Sequence, residues 1–234
     1  MGQTISIPQL SGEQHFDAYL ARPAGKPKAA ILVIQEIFGV NPGIRRKCDR
    51  LAEQGYLAVA PDLFWQLERK VELDPDVEAE FQQALELMGR FDQDEGIRDI
   101  EATIRYIREE EGVAKVGVVG YCLGGRLAYM TAARTDCDAA VGYYAVGIDG
   151  LLREKHAIAN PLMLHIACED GFVDKAAQTA MHEGLDDHPK VTLHDYPGVD
   201  HGFATEMGKR RDPDAAELAD RRTMEFFAQT LAAD

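Results

Sequence analysis

Cys122 lies in the stretch "GYCLGG" (residues 120–125), where small residues surround a thiol. Gly120 and Gly124 stand two positions on either side, and this G-x-C-x-G spacing is typical of a nucleophile on a sharp turn from a strand into a helix. Larger side chains at these glycines would collide within such a turn. The N–H groups that begin the helix would favour a thiolate and then an oxyanion. The alternative is a packed cysteine without chemistry, since buried cysteine is common.

A histidine that could act as a general base follows the last apolar strand segment. His201 lies in "GVDHGFA", and it completes the chain order nucleophile, acid, histidine. Its ordinary pKa lies near neutral pH, which suits proton transfer in both directions. The chain contains seven histidines, so an ordinary loop histidine is the alternative.

Asp170 is the acid that we expect to orient this histidine. It follows the apolar segment "LMLHIAC", and it could accept the N–H of His201 and fix the imidazole tautomer. Asp174 is a rival, but it suits the N-cap of the helix that begins at "KAAQTA". Asp200 is adjacent to the histidine in sequence and is poorly placed to reach its ring. Asp195 is predicted to lie within a strand.

Glu36 is unusual because a carboxylate ends the otherwise apolar run "AAILVIQEI" at residues 29–37. Burial of a carboxylate is costly without partners. In one interpretation it lies beside Cys122, where it could hold the thiol proton or tune the thiol pKa. In the other it only bonds to nearby backbone N–H groups. The N–H groups of Ile37 and Leu123 are the expected oxyanion donors.

Apolar strand segments alternate with helical segments through most of the chain. This pattern predicts an α/β fold with a mostly parallel central sheet and helices on both faces, in a single domain over residues 1–234. Ligands bind beyond the carboxyl ends of the strands in such sheets, which is where the four candidate groups stand. Antiparallel strands are expected at "TISIP" and "HFDAYLARP". Helices are predicted at 42–54, 75–90, 93–111, 123–134, 175–185 and 212–232.

Composition excludes several classes of function. The formal net charge of −15 would repel nucleic acid and an anionic membrane surface. The N-terminal residues carry no leader pattern, and no apolar stretch reaches the length of a membrane span. The four cysteines form no CxxC pair, and no metal-ligand spacing is present. We therefore expect a cytoplasmic protein with free thiols and with no metal or cofactor.

The remaining cysteines are weaker candidates for chemistry. Cys168 is predicted to lie inside a strand and in the core, Cys137 to follow the helix after the turn, and Cys48 to lie on a helix. A thiol redox protein would need a second cysteine that resolves Cys122, and none is close in sequence. A binding protein that holds a small molecule without turnover is the other alternative.

Five separated blocks give the chain a resemblance to a known family. "QEIFGVN", "GYCLGG", "VGYYAVG", "ACEDGFVD" and "DHGFA", in this order, resemble the dienelactone hydrolases, also called carboxymethylenebutenolidases. The resemblance runs from about Ala29 to the closing helix. It implies an α/β-hydrolase fold without a cofactor and a triad of Cys122, Asp170 and His201. It also implies that Glu36 contacts the thiol.

The chain departs from the family pattern where the substrate carboxylate would bind. The resemblance implies two arginines at this place, but the chain has Phe81 and Thr205 there. Each missing charge-assisted hydrogen bond is worth roughly 1.5–3 kcal/mol. Lys209, Arg210 and Arg211 lie nearby in sequence and are candidates to replace them. The full set of predicted pocket residues is Phe38, Phe81, Leu85, Met88, Tyr144, Phe203 and Thr205.

The resulting expectation is hydrolysis of small activated esters or lactones through a thioester on Cys122. The substrate is expected to differ from the usual anionic dienelactone. The only partner expected is this small molecule. Nothing in the sequence requires more than a monomer, and a dimer is left open.

Overall fold

One eight-stranded sheet organises the protein in the computed structural model, which describes residues 2–232. The strand order is β1-β2-β4-β3-β5-β6-β7-β8. β1 pairs antiparallel with β2, and β2 pairs antiparallel with β4, whereas all pairs from β4 through β8 are parallel. The strands are β1 (Gln3–Pro8), β2 (His15–Ala21), β3 (Ala30–Ile34), β4 (Leu57–Pro61), β5 (Val116–Tyr121), β6 (Ala139–Tyr143), β7 (Leu162–Ala167) and β8 (Val191–Tyr196).

Helices cover both faces of the sheet. They are α1 (Pro42–Glu53), α2 (Glu78–Arg90), α3 (Gln93–Glu109), α4 (Leu123–Arg134), α5 (Lys175–Leu185) and α6 (Pro213–Thr230), with a 3₁₀ helix at Asp149–Ala157. None of the helices formed by residues 2–232 combines the length and the apolar character that crossing a bilayer requires.

Side chains of each buried strand alternate between two apolar clusters. In β3, Ile31 and Val33 pack with residues of α1 and α6, whereas Leu32 and Ile34 pack with residues of α2 to α5. This alternation explains why the central strands are continuous apolar runs, since both of their faces are buried.

The α/β fold with helices on both faces is confirmed, and most differences concern where elements end. The strands end before the polar residues that follow them, so residues 35–37 and 168–170 are loops. The prediction for Cys168 was therefore wrong: it lies just beyond β7 and is half-buried. The 3₁₀ helix at Asp149–Ala157 was not predicted, because its short turns carry no clear apolar period.

The turn between β5 and α4 depends on two glycines. A Cβ atom at Gly120 would lie 1.9 Å from the carbonyl oxygen of Gly124, and one at Gly124 would lie 2.5 Å from the carbonyl oxygens of Ile34 and Gln35. These contacts are with backbone atoms, which cannot turn away as a flexible side chain can. The glycines therefore let α4 begin close to the ends of β5 and β3.

We predict that Gly120→Ala destabilises the protein by about 1–3 kcal/mol or more, because the added methyl group must displace backbone. Gly89 in α2 is the matched control, since a Cβ atom there would meet nothing within 4 Å. Gly89→Ala should stabilise the protein by about 0.5–1 kcal/mol through helix propensity. Urea unfolding of both variants measures the difference, and equal midpoints for the two would contradict this account of the turn.

Candidate active site

Four polar side chains follow four parallel strands and meet at the same edge of the sheet. Cys122 comes directly after β5, Glu36 two residues after β3, Asp170 three residues after β7, and His201 five residues after β8. The carboxyl ends of parallel strands share one edge, so short loops are enough to bring these groups together.

Cys122 occupies a strained position between β5 and α4. Its φ of 57° and ψ of −116° place a non-glycine residue in a backbone region that side chains rarely adopt. Its N–H donates to the carbonyl of Tyr143 at 3.0 Å, and its own carbonyl accepts the N–H of Arg126 at 3.2 Å. These bonds hold the turn from both sides, and the half-exposed thiol faces a cavity.

His201 is held by a buried carboxylate. Its Nδ1 lies 2.9 Å from Oδ2 and 3.1 Å from Oδ1 of Asp170. The carboxylate is fixed in turn, because its Oδ1 accepts the N–H groups of Phe172 at 2.8 Å and Val173 at 3.2 Å. An ionised carboxylate only accepts, so Nδ1 of the imidazole must be the donor.

The three rival carboxylates have other partners. Asp174 caps α5 by accepting the N–H of Ala177, and Asp195 pairs with His182 at 3.1 Å. Asp200 accepts the backbone N–H groups of Gly171 at 2.9 Å and His201 at 2.6 Å. It joins the loops that carry the acid and the histidine, and it does not bond to the imidazole ring.

The imidazole of His201 has a raised pKa although the ring is buried. Burial lowers its pKa, but the charges of Cys122 and Asp170 and hydrogen bonds from the ring to both side chains raise it to about 10. Because Nδ1 faces Asp170, Nε2 is the nitrogen left for the thiol. The imidazole is therefore placed to take the proton of the thiol.

Glu36 is buried and makes polar contacts with two side chains. Its Oε1 accepts from the hydroxyl of Tyr144 at 3.1 Å, and its Oε2 lies 3.5 Å from the hydroxyl of Thr205. The threonine hydroxyl has one proton and lies closer to the carbonyl of Met207, at 2.8 Å. Tyr144 is therefore the close partner. Burial raises the pKa of Glu36, whereas the charges of Lys47 and His201 lower it.

Two backbone N–H groups belong to residues that adjoin Cys122 in the chain or share its cavity. Leu123 is the first residue of α4, so its N–H has no acceptor within the helix. Ile37 follows Glu36 in the loop after β3 and lines the same cavity as Cys122. These are the positions that the sequence predicts for oxyanion donors.

A cavity of about 260 Å³ opens above the thiol and the imidazole. Its walls are mainly apolar, and Phe38 and Phe81 contribute two rings whose centroids are 5.9 Å apart. The apolar side chains in the walls are those of Ile37, Phe38, Pro75, Phe81, Leu85, Met88, Val146, Phe172 and Met207. Thr205 also lines the cavity, and it stands at a position where the family resemblance implied an arginine.

Two of the predicted pocket residues lie outside the cavity wall. Tyr144 and Phe203 are fully buried behind the site, with ring centroids 5.5 Å apart. Tyr144 reaches Glu36 with its hydroxyl, and its ring centroid is 5.0 Å from that of His201. The prediction that these two residues line the pocket was therefore wrong. Both follow strands in sequence, but their rings pack in the apolar cluster that contains α1 and α6.

The three basic residues near the site have different surroundings. Lys209 and Arg210 line the cavity, whereas the guanidinium of Arg211 donates to the carbonyls of Ala204 and Thr205. Arg211 is therefore unavailable to a substrate in the cavity. Arg210 lies 5.5 Å from the ring of Phe172 and 3.8 Å from a carboxylate oxygen of Asp200.

Phe172 is a wall residue that the sequence reasoning missed. It is 52% exposed, and its ring meets the imidazole of His201 edge to face, with centroids 4.8 Å apart. Its position two residues after Asp170 was the available signal, because that loop had to approach the histidine.

Within residues 2–232, no three side chains of His, Cys, Asp or Glu are grouped so that they could hold a metal ion.

Comparisons with known proteins identify the family of the chain. The sequence profile described as the dienelactone hydrolase family matches residues 16–231. A carboxymethylenebutenolidase of Pseudomonas putida is 39% identical, with 96% of this chain and 95% of that protein covered. A protein of Azospirillum brasilense that carries the name carboxymethylenebutenolidase provisionally is 45% identical, with 97% of this chain and 98% of that protein covered. A solved structure from Klebsiella pneumoniae, provisionally named a dienelactone hydrolase, is 27% identical with a TM-score of 0.86 over 98% of each chain. The chain belongs to the dienelactone hydrolase family.

Proposed function

We propose that the protein hydrolyses small activated esters or lactones through a thioester on Cys122. The observation that carries this proposal is the imidazole of His201, held between the Asp170 carboxylate and the thiol beneath an apolar cavity. The family supports a hydrolase, and its named relatives include carboxymethylenebutenolidases. The choice of nucleophile and substrate is inferred from the site.

In the proposed acylation, the Cys122 thiolate attacks the carbonyl carbon of the ester. The N–H groups of Leu123 and Ile37 stabilise the oxyanion that forms. Collapse of this intermediate breaks the bond to the alcohol oxygen, which takes the proton of the His201 imidazolium. In a lactone, the released alcohol stays attached to the acyl group. Asp170 keeps the imidazole in the required tautomer throughout.

In the proposed deacylation, neutral His201 takes a proton from water as the water oxygen attacks the thioester. Collapse releases the carboxylic acid product and restores the thiolate beside the imidazolium. We infer that Glu36 tunes the charge of the thiol, because its carboxyl faces the same cavity and its charge state responds to His201.

The cavity wall favours a small neutral substrate. Its volume of about 260 Å³ is below the range of about 300–1,000 Å³ that holds larger ligands. The aromatic pair Phe38 and Phe81 and the uncharged Thr205 provide no positive charge. A carboxylate held against these three side chains would lose its water without gaining an ionic partner, and Lys209 and Arg210 elsewhere in the lining are the basic side chains left to meet one.

The partners and the compartment are inferred from charge and thiol chemistry. The net charge of −15 disfavours nucleic acid and anionic membranes, so we infer that the small-molecule substrate is the only partner that the site needs. The four free cysteines suit a reducing compartment such as the cytoplasm.

We predict that Cys122→Ala abolishes hydrolysis of p-nitrophenyl acetate, since the alanine variant has no nucleophile. Mass spectrometry of the parent protein with a slowly hydrolysed ester should show one acyl group on the Cys122 peptide. Cys168→Ala is the matched control, because this half-buried thiol lies outside the cavity. Full esterase activity in Cys122→Ala would reject the mechanism, and ligand binding without product release would favour a binding protein.

We also predict that Cys122→Ala lowers the pKa of His201 from about 10. Burial lowers the pKa of this imidazole, whereas the charge of Cys122 and the hydrogen bond to it raise that pKa, so removing the side chain must shift the titration to lower pH. NMR titration of the imidazole C–H signal measures the shift, with His201→Gln to assign the signal. The Cys168→Ala control should titrate like the parent, and an unchanged His201 titration in Cys122→Ala would show that the two groups are not coupled.

A third prediction concerns charge selectivity. The parent should prefer neutral lactones and aryl esters to the anionic dienelactone. Phe81→Arg should raise kcat/KM for the anionic lactone by about tenfold, the lower end of what a charge-assisted hydrogen bond supplies. Phe81→Leu, which opens space without adding charge, should produce no such gain. A parent enzyme that strongly prefers the anion would overturn this account of the cavity.

A further inference from the structure

Lys47 is a buried cation on α1, behind the sheet as seen from the cavity. Only 7% of its surface is exposed, although burial of an ammonium is costly. α1 packs in the cluster that contains Cys48 and Tyr121, whereas the apolar cavity walls belong mainly to the other cluster. Neither the cavity nor the proposed chemistry uses this side chain directly, so its burial calls for a physical reason.

The ammonium of Lys47 connects the two segments that carry the proposed nucleophile and base. Its Nζ donates to the carbonyl of Ala204 at 2.9 Å, three residues after His201. The same Nζ lies 4.1 Å from the ring centroid of Tyr121, the residue before Cys122. One buried group therefore contacts the end of β5 and the loop after β8.

The charges around Lys47 compensate for its burial. Glu206 lies 3.9 Å from its Nζ, and this carboxylate also pairs with Arg50 at 2.5 Å and with Arg211 at 3.3 Å. The charges of Asp220, Glu206 and Glu36 raise the pKa of Lys47, whereas burial, the largest effect, and the charge of Arg211 lower it. Asp220 itself accepts from the hydroxyl of Tyr143 at 3.0 Å.

The charge of Lys47 also reaches the cavity. After burial, it has the largest effect on the charge state of Glu36, ahead of His201 and of the hydrogen bonds from Tyr144 and Thr205. The hydroxyls of Tyr144 and Thr205 contact Glu36, and the imidazole of His201 acts on its charge from the cavity side. Two cations, His201 beside the cavity and Lys47 on α1, therefore favour a charged Glu36.

We propose that Lys47 is a positioning residue for the reaction. Its ammonium holds the loop of His201 against the end of β5, and its positive charge, together with that of His201, favours the ionised form of Glu36. The inference rests on the proposed function, because the residues that it positions are the proposed base and nucleophile.

Three variants separate this role from ordinary packing. Lys47→Met removes the charge at similar length, and Lys47→Arg keeps the charge. Glu206 retains Arg50 and Arg211 in both variants, so no carboxylate is left unpaired there. Lys28→Met is the matched control, because Lys28 also donates to a backbone carbonyl and also lies over a tyrosine ring. These contacts, with Gln54 at 3.0 Å and Tyr56 at 5.8 Å, are remote from the cavity.

Two measurements are made on each variant. The first is kcat and KM for p-nitrophenyl acetate. Lys47→Met should lower kcat by about tenfold or more, because small misplacements of a catalytic group are costly. KM should change little, since Lys47 does not line the cavity, and Lys47→Arg should recover much of the loss in kcat.

The second measurement is an NMR titration of the Glu36 carboxyl, assigned with Glu36→Gln. Its midpoint should rise by about one pH unit in Lys47→Met, because a neighbouring positive charge is lost. Lys28→Met should match the parent in both.

Two results would overturn the proposal. One is a Lys47→Met protein with parental kcat and an unchanged Glu36 titration. The other is an equal loss of kcat in Lys47→Met and Lys47→Arg with an unchanged titration, which would show a packing role only. If Lys47→Met does not fold, Lys47→Gln replaces it and is judged by the same two results. Esterase activity in Cys122→Ala would reject the proposed mechanism, whereas the Glu36 titration reports on Lys47 whether or not that mechanism holds.

Discussion

The imidazole of His201 can work as proposed only while three segments, far apart in sequence, keep their positions. The Asp170 carboxylate holds Nδ1 at 2.9 Å, and the turn at Cys122 presents a thiol to the opposite side of the ring. Each group stands on a loop a few residues beyond a strand. The parallel sheet therefore sets the spacing, and the local hydrogen bonds of Asp200 and Asp170 remove the remaining freedom of the loops.

Local rules predicted much of this arrangement. Apolar runs predicted the strands, and the glycine spacing predicted the turn at Cys122. The positions of Asp170 and His201 after their strands predicted that both lie at one edge of the sheet. Tyr144 and Phe203 were placed wrongly in the pocket, because a sequence does not show to which side of a strand end an aromatic ring turns. The burial of Lys47 could not be predicted from the sequence, since a lysine on an amphipathic helix is ordinarily exposed. Its partners Tyr121 and Ala204 become neighbours only after the chain has folded.

The chemistry of the site and the selectivity of the site depend on different parts of the molecule. The groups that are proposed to react are fixed by strand ends and by buried carboxylates, whereas the cavity wall is contributed largely by α2 and by the loop after His201. Changes at Phe81 or Thr205 alter the charge that a substrate meets without touching the hydrogen bonds of the imidazole. The charges of His201 and Lys47 both act on Glu36, and this links the cavity to the far side of the sheet.

The turn at Cys122 has an evolutionary consequence. The strain is carried by the backbone, and the close approach is made possible by glycines on either side, so the side chain itself contributes little to the shape of the turn. A hydroxyl in place of the thiol would inherit the same scaffold, the same neighbouring imidazole and the same N–H donors. Under the proposed mechanism, a single substitution would therefore exchange the attacking atom and leave the rest of the site in place.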